Sequence, residues 1–368
     1  LKIIKPFLLI ILFIIILSCT KENGDSNNDK FYVSAVNDLS TQQPFHQVMF
    51  QKTNGVYRYD FWNNNSSYSE IEISELSKRD TIIFDDQDKF VFVEPFTLYE
   101  DLVSFLNDTA ILSYVHTKKG QELNMDDFMD LVERQYYTTK IPKLKTPNTA
   151  FDIQEFISFQ DQELKFIWEY SYSGELIYTE SESVPFEIFE VEKQIFVVPS
   201  TQDNPYPILH VKNINTDKLE LSYFTDFETR TKSYTTTDSR PFSNKSTNFS
   251  LCRDSYQSLY YNGEDVRYSK GMENLKAYMQ SEAPEVENEG YINLHFIINC
   301  HGEVGRFGLE LLDKIYNSTD FDPNMIQHIV DKVSNLRDWD NVDAISHRGA
   351  KDVKIFFLIN IRNHKIVD

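Results

Sequence analysis

Cysteine and glycine are scarce in this 368-residue chain, which holds only 3 Cys and 11 Gly. Three cysteines are too few for a disulfide-scaffolded small domain or a Cys-rich zinc module. With 12 Pro and no Pro-rich run, a stiff proline spacer is excluded as well. Positive charge is also short: 36 Lys and Arg face 57 Asp and Glu, a formal net charge of −21. A field of that sign repels phosphates, and no basic patch offsets it, so nucleic-acid binding is excluded. Long apolar runs are missing too. The longest, Phe7–Leu17, has 11 residues, about half of what a membrane-crossing helix needs.

Catalytic signatures are equally thin. The eight His make no H-E-x-x-H and no i, i+4 pair, and neither G-x-S-x-G nor a Walker loop is present. Asp85–Asp88 and Asp338–Asp343 carry carboxylates at loop spacing but lack the glycine and closing glutamate of an EF-hand. Gly302-x-x-Gly305-x-x-Gly308 reads as turn and strand, not as a dinucleotide fingerprint. With 57 acids, no pair of carboxylates stands out as a glycosidase couple. No metal, cofactor or catalytic residue is assigned, and the chain is expected not to be an enzyme.

What is abundant is aromatic and β-favouring: 28 Phe and 21 Tyr within a 14% aromatic share. From Phe31 to about Thr247 the pattern has mostly period two. Tyr57, Tyr59 and Phe61 alternate with Arg58 and Asp60, and Leu219, Leu221 and Tyr223 with Glu220 and Ser222. Such short strands between Asn/Asp/Ser turns predict antiparallel sheets. One helix interrupts them: Asn124 suits its cap, and Met125, Phe128, Met129, Val132 and Tyr136 form one stripe. A weaker helix is expected over Thr97–Asn107. The Thr/Lys/Pro-containing stretch near 142–150 is expected to divide this β-rich region (31–247) into two units. The segment from Asp161 to Tyr234, with Trp168 near its start, resembles lipocalin-type barrels in composition. No internal repeat is evident.

The N-terminus carries a different message. Lys2 and Lys5 precede the apolar run, which stops at Ser18-Cys19 with polar Thr20, Lys21 and Glu22 behind. A small residue directly before Cys19 resembles the lipobox of bacterial lipoproteins. That resemblance implies cleavage of residues 1–18 and lipidation of Cys19, hence a membrane anchor and a place in the cell envelope, the outer membrane first. Cleavage takes two lysines away and leaves a mature charge of −23. Residues 19–30 would be a polar tether with no apolar side chain after the cysteine. Once Cys19 is acylated, Cys252 and Cys300 are the remaining thiols. In an oxidising compartment they either form a bridge or sit apart as small buried hydrophobes.

After Cys252 the pattern changes to helix, strand, strand, helix, strand. A short amphipathic helix around Met272–Met279 comes first. Gly290–Ile298 is a strand, Asn299–Glu303 a turn, and Val304–Leu312 the returning strand. Asp322-Pro323 starts a helix, Trp339 follows its end, and Asp352–Asn360 is the last strand. The run G-Y-I-N-L-H-F-I-I-N-C-H-G-E-V-G-R-F, then L-R-D-W-D, then V-K-I-F-F-L-I-N-I-R-N-H-K-I, resembles the C-terminal domain of TonB-like proteins. The matching positions are Asn299, Gly302, Trp339 and the strand Val353–Ile361. The resemblance implies an αββαβ domain with its lead-in over 248–368. It also implies that an envelope protein, such as an outer-membrane transporter, adds a strand beside Val353, Ile355, Phe357, Ile359 and Ile361. The uncleaved membrane helix, the Pro-rich linker and the Trp-x-Pro of TonB proper are missing here, which argues against energy transduction.

The fold class expected is therefore α+β: an antiparallel β-rich N-terminal region and a small C-terminal αββαβ domain. The leading expectation is a lipid-anchored envelope protein that works as an interaction or scaffolding module. The alternative is an envelope lipoprotein whose aromatic β region holds an apolar or glycan ligand.

Overall fold

A computed structural model describes the chain between Phe31 and Val367. Outside the described residues lie 1–30, 35–46, 53–54, 62–64, 70–80, 84–88, 94–101, 108–109, 118, 134, 142–148, 200–207, 225–228, 239–240, 242–245, 252–256, 259–266, 341–351 and 368. The architecture is β-rich α+β, and it divides into two compact units. The first runs to Gly120 and takes in Tyr223–Arg230; the second holds Gln121–Ser222 and Thr231–Asp368. No helix among the described residues is long and apolar enough to cross a membrane.

The first unit is a sheet of eight strands: β1 (Phe31–Ser34), β2 (Gln47–Lys52), β3 (Gly55–Asp60), β4 (Asn65–Ser69), β5 (Thr81–Ile83), β6 (Lys89–Val93), β7 (Leu102–Asn107) and β8 (Ala110–Thr117). Two meanders, β1 to β4 and β5 to β8, are joined by antiparallel pairing of the first strand with the last. The helix expected over Thr97–Asn107 is absent where it can be seen, because Leu102–Asn107 is strand β7, paired with β6 and β8. Its apolar residues satisfy either period over so short a run, and the neighbouring strands decide. On β3 the alternation holds, but Arg58 is on the buried face, with its Nε donating to Ser67 Oγ at 3.0 Å.

The second unit begins with helix α1 (Met125–Val132). Asn124 caps it, accepting from the Asp127 N–H at 2.8 Å, and two aspartates sit at its positive end. The helix is shorter than its apolar stripe suggests. Phe128 and Val132 are buried, Met125 and Met129 are at the surface, and Tyr136 already belongs to the next strand. Eight strands follow: β9 (Tyr136–Ile141), β10 (Asp152–Gln160), β11 (Glu163–Tyr172), β12 (Glu175–Val191), β13 (Gln194–Pro199), β14 (Leu209–Ile214), β15 (Lys218–Phe224) and β16 (Thr229–Thr237). Each pairs with the next, and β16 returns to β9, so the pairings close into a ring. The long strand β12 serves two neighbours in turn, β11 as far as Pro185 and β13 from Phe186 onward. Proline, which has no N–H to give a ladder, stands at the handover.

This ring corrects the expected split near 142–150. Those residues connect β9 to β10, which pair directly with Ile141 opposite Ile153. Both strands belong to one sheet in the second unit, and the boundary between units falls at Gly120. Both sheets place the first of eight consecutive strands beside the last. That likeness lies in the pairing order and not in the residues, so no repeat shows in the sequence.

A parallel strand, β17 (Ser246–Asn248), lies beside β12 and leads into the C-terminal module. The remaining elements are β18 (Gln257–Ser258), β19 (Arg267–Tyr268), α2 (Met272–Gln280), β20 (Gly290–Ile298), β21 (Val304–Asp313), α3 (Pro323–Ser334), β22 (Trp339–Asp340), β23 (Val353–Arg362) and β24 (Lys365–Ile366). The module's sheet runs β18-β23-β20-β21, with β24 also on β23. One face carries Ile292, Leu294, Phe296, Leu309, Leu311, Ile359 and Ile361, all buried. Helix α3 buries Met325, Ile326, Ile329, Val330 and Val333. Asp322 caps that helix and Pro323 takes its first turn, as the sequence predicts. The module and most of the ring of β9 to β16 fall in one compact unit, where the sequence reading expects a separate domain from 248.

Candidate functional site

Asn299 and Gly302 build the β20–β21 turn. The buried Asn299 carboxamide accepts from the His301 and Glu303 N–H groups at 3.0 and 2.9 Å. It donates to the Ser250 carbonyl at 3.0 Å and the Glu303 carboxylate at 2.8 Å. One side chain therefore ties the turn to the segment that enters the module. Gly302 has φ +74°, a left-handed conformation that costs glycine little. Trp339 is only half-buried, packed 5.9 Å from Phe296 and 5.9 Å from Tyr268. It lies at the margin of the module's core, because the short β22–β19 pairing holds it beside the sheet. Cys300 is disulfide-bonded; Cys252 and Cys19 lie outside the described residues.

Strand β23 lies toward the margin of the module's sheet. On its side away from β20, Val353 and Lys354 pair with β18, and Ile361 and Arg362 with β24. The Asn360 carbonyl accepts from Val367. Among the described residues these strand pairings stop at Lys354 and resume at Asn360. The side chains divide differently from the expected partner set. Val353, Ile359 and Ile361 face the core and are buried, Ile355 and Phe357 are intermediate, and the outward residues are Phe356 and Leu358. A strand's two faces alternate, so the residues that match the family's strand are those that hold it to its own helices.

A second constellation sits between the ring and the module. Register places Glu155 opposite Trp168, and Trp168 opposite Glu180, in one row across β10, β11 and β12. All three are buried. The Glu155 carboxylate accepts from Trp168 Nε1 at 2.9 Å, Lys232 Nζ at 3.0 Å and the Tyr234 hydroxyl at 2.6 Å. Glu180 and Glu182 meet one cation, Arg306 of β21. Its Nη1 is 2.8 Å from Glu180, its Nη2 donates to Glu182 at 2.9 Å, and its backbone N–H donates to Glu180 at 2.8 Å. The guanidinium lies 3.7 Å from the centre of the Trp168 ring. Burial pushes the Glu180 carboxyl up, and Arg306 opposes that rise. Burial likewise raises the Tyr170 hydroxyl well above its ordinary value, with Glu180 adding to the effect.

Arg306 takes part because of a bulge. His295 faces Gly308 and Ile297 faces Gly305, so Arg306 and Phe307 together oppose Phe296. Arg306 has φ +56°, a left-handed conformation usually given to glycine at such a bulge. Its backbone and side-chain bonds to Glu180 offset the strain. Gly305 next to it is required by space, because a Cβ there would lie 2.4 Å from Cγ of the buried Phe249 ring. No signal in the sequence marks Arg306. One arginine among 36 basic residues, paired with two of 57 acids from 124 and 126 positions away, becomes special only once the chain is folded.

These groups suit a clamp better than a reaction centre. Every carboxylate in the row is engaged by a cation or hydroxyl, and among the described residues no group of three or more His, Cys, Asp or Glu is disposed to hold a metal ion. Further bonds fasten the same joint. Tyr172 donates to the Phe321 carbonyl and accepts from its N–H, and Gln327 donates to the Ile177 carbonyl.

No family model and no curated protein matches this chain. Among solved structures, the chain is similar over 94% of its length to 91% of a putative DNA polymerase III β subunit from Eubacterium rectale, at 8% identity and a TM-score of 0.15. It is similar over 86% of its length to 85% of a DNA polymerase III β sliding clamp from Bartonella birtlesii, at 9% identity and a TM-score of 0.14. At those TM-scores neither likeness carries an argument about fold or function.

Proposed function

We propose that this chain is a lipid-anchored cell-envelope protein, held at the outer membrane through Cys19. Its TonB C-terminal-like module receives a protein partner and does not transduce energy. The observation that carries the reading is the place of β23. It lies toward the sheet's margin in an α2-β20-β21-α3-β23 order, and the described pairings on its outer side are confined to its two ends. A partner strand entering there would gain main-chain hydrogen bonds, with Phe356 and Leu358 beside it for side-chain selection. The clamp at Arg306 would hold the module rigidly on the ring of β9 to β16 while it is engaged.

A photo-crosslinking residue at Leu358 tests this in membranes that contain the protein. Adducts with one integral outer-membrane protein are expected from Leu358 and not from a control at exposed Glu122. Equal labelling from both sites, or none from Leu358, would refute the interaction. Separately, Cys19→Ser should release the chain from the membrane fraction.

The closed ring of β9 to β16 is the observation that favours the ligand-binding alternative, since small eight-stranded barrels either fill with side chains or hold one ligand. Here Tyr137, Phe159, Phe166, Trp168 and Tyr234 are buried together with the bonded Glu155. That packing supports a filled ring. A saturable change in Trp168 fluorescence on titration with an apolar ligand would reverse the preference.

A further inference from the structure

The module's sheet has a second face, opposite its helices, where apolar side chains stand among polar ones such as Asn293, His295 and Glu310. Register places Phe356 beside His295, Leu358 beside Asn293 and Asn360 beside Tyr291. Phe356 is 43% and Leu358 56% exposed. At the end of the same strip the turn after β21 projects Ile315, 75% exposed, and Tyr316, 68% exposed. The Tyr316 ring stacks flat on Tyr291, with centroids 5.2 Å apart. This turn is rigidly built. The Asp313 carboxylate accepts from the Ile315 and Asn317 N–H groups at 2.8 and 2.9 Å, and Tyr316 is held at φ +64°. An aromatic residue in that conformation is unusual.

Charge accompanies the apolar strip. Residues 353–367 contain Lys354, Arg362, Lys365 and His364 and not one carboxylate, in a chain with 57 acids. Lys354 Nζ lies 5.2 Å from the Phe356 ring centre. Acids lie close by as well: Glu310 accepts from Asn293, Asp313 closes its own turn, Glu289 pairs with Lys314, and Glu285 pairs with Lys365. Protruding Ile, Tyr, Phe and Leu side chains with cations in the same plane match the chemistry of a bilayer interface. Apolar groups there enter the acyl boundary, tyrosine sits at headgroup level, and cations meet anionic lipid.

We infer that this face, formed by Ile315, Tyr316, Phe356 and Leu358 with Lys354 and Arg362, docks on an anionic lipid surface. The inference relies on the envelope reading only for where the chain meets a bilayer. The test uses the chain from residue 20 onward, which keeps every described residue and has no acylation site. Binding is measured by sedimentation with vesicles of equal parts phosphatidylglycerol and phosphatidylcholine, and with phosphatidylcholine alone. The expected result is binding to the anionic vesicles that falls with salt. It should fall about fivefold for each of Lys354→Gln and Arg362→Gln, and be lost in Ile315→Ser/Leu358→Ser. These positions are exposed or half-exposed, and circular dichroism checks that the variants stay folded. No binding to anionic vesicles, or binding indifferent to both sets of variants, would overturn the inference. Neither outcome touches the Cys19 fractionation or the Leu358 crosslink, so the two readings fail separately.

Discussion

Replacing Arg306 with methionine removes the cation that bonds both Glu180 and Glu182 while keeping apolar cover over Trp168. Both carboxylates are almost wholly buried, and breaking a buried pair by deleting one partner costs about 3–5 kcal/mol, because a charge is left without compensation. Loss of the cation over the indole adds on the order of 1 kcal/mol, partly recovered by methionine's own packing. The strained φ stays the same, so it contributes no difference. A total near 4 kcal/mol is large beside the ~5–15 kcal/mol of a typical domain.

The loss should depend on pH, with a definite sign. Burial raises the Glu180 carboxyl and Arg306 lowers it, so removal of the arginine leaves burial unopposed. A carboxyl raised in the folded state favours folding when protonated and loses that stability as pH rises through its folded value. The deficit of the variant should therefore be greatest at neutral pH and shrink on acidification. Adding Glu180→Gln should restore part of it, since the two sites share one interaction. Urea unfolding followed by tryptophan fluorescence, with amide exchange on β12 and β21, measures both effects. A loss below about 1 kcal/mol at neutral pH, the range of solvent-exposed pairs, would refute the buried-clamp reasoning. So would a deficit that does not change with pH.

Gly305→Ala should destabilise the second unit by about 1–3 kcal/mol through overpacking against Phe249. Gly308→Ala, whose Cβ would meet nothing closer than His295 Nδ1 at 3.5 Å, should be nearly neutral in the same thermal melts. Burial raises the Tyr137 hydroxyl to about 12, so ultraviolet titration should show it ionising after the exposed tyrosines. Because its ionisation favours unfolding, stability should fall as pH climbs past 10 toward that value, and Tyr137→Phe should reduce this alkaline loss. Alkylation without reductant should leave Cys300 unlabelled, since it is disulfide-bonded. If Cys252 is its partner, Cys252→Ser should expose one new thiol, and an unchanged thiol count would exclude that pairing.

The sequence alone determined the local elements of the C-terminal module. Asp322 and Pro323 placed the start of α3, Asn299 and Gly302 placed the turn, and period-two runs placed β20, β21 and β23 within a residue or two. Each of these rests on side-chain chemistry acting over a few positions, which a linear reading can see. The same locality explains the helix expected where Leu102–Asn107 is strand β7. A short apolar run fits two periods, and pairing with β6 and β8 lies far from it in sequence. Only the tertiary structure decided which strands close into a ring, that β9 and β10 on either side of 142–150 pair within one unit, and that the module shares that unit with most of the ring. It alone also selected Arg306, Glu180 and Glu182 from 93 charged residues. Pairing partners and buried charge clusters are set by which distant segments can be buried together, a property of the folded surface that no window of sequence contains.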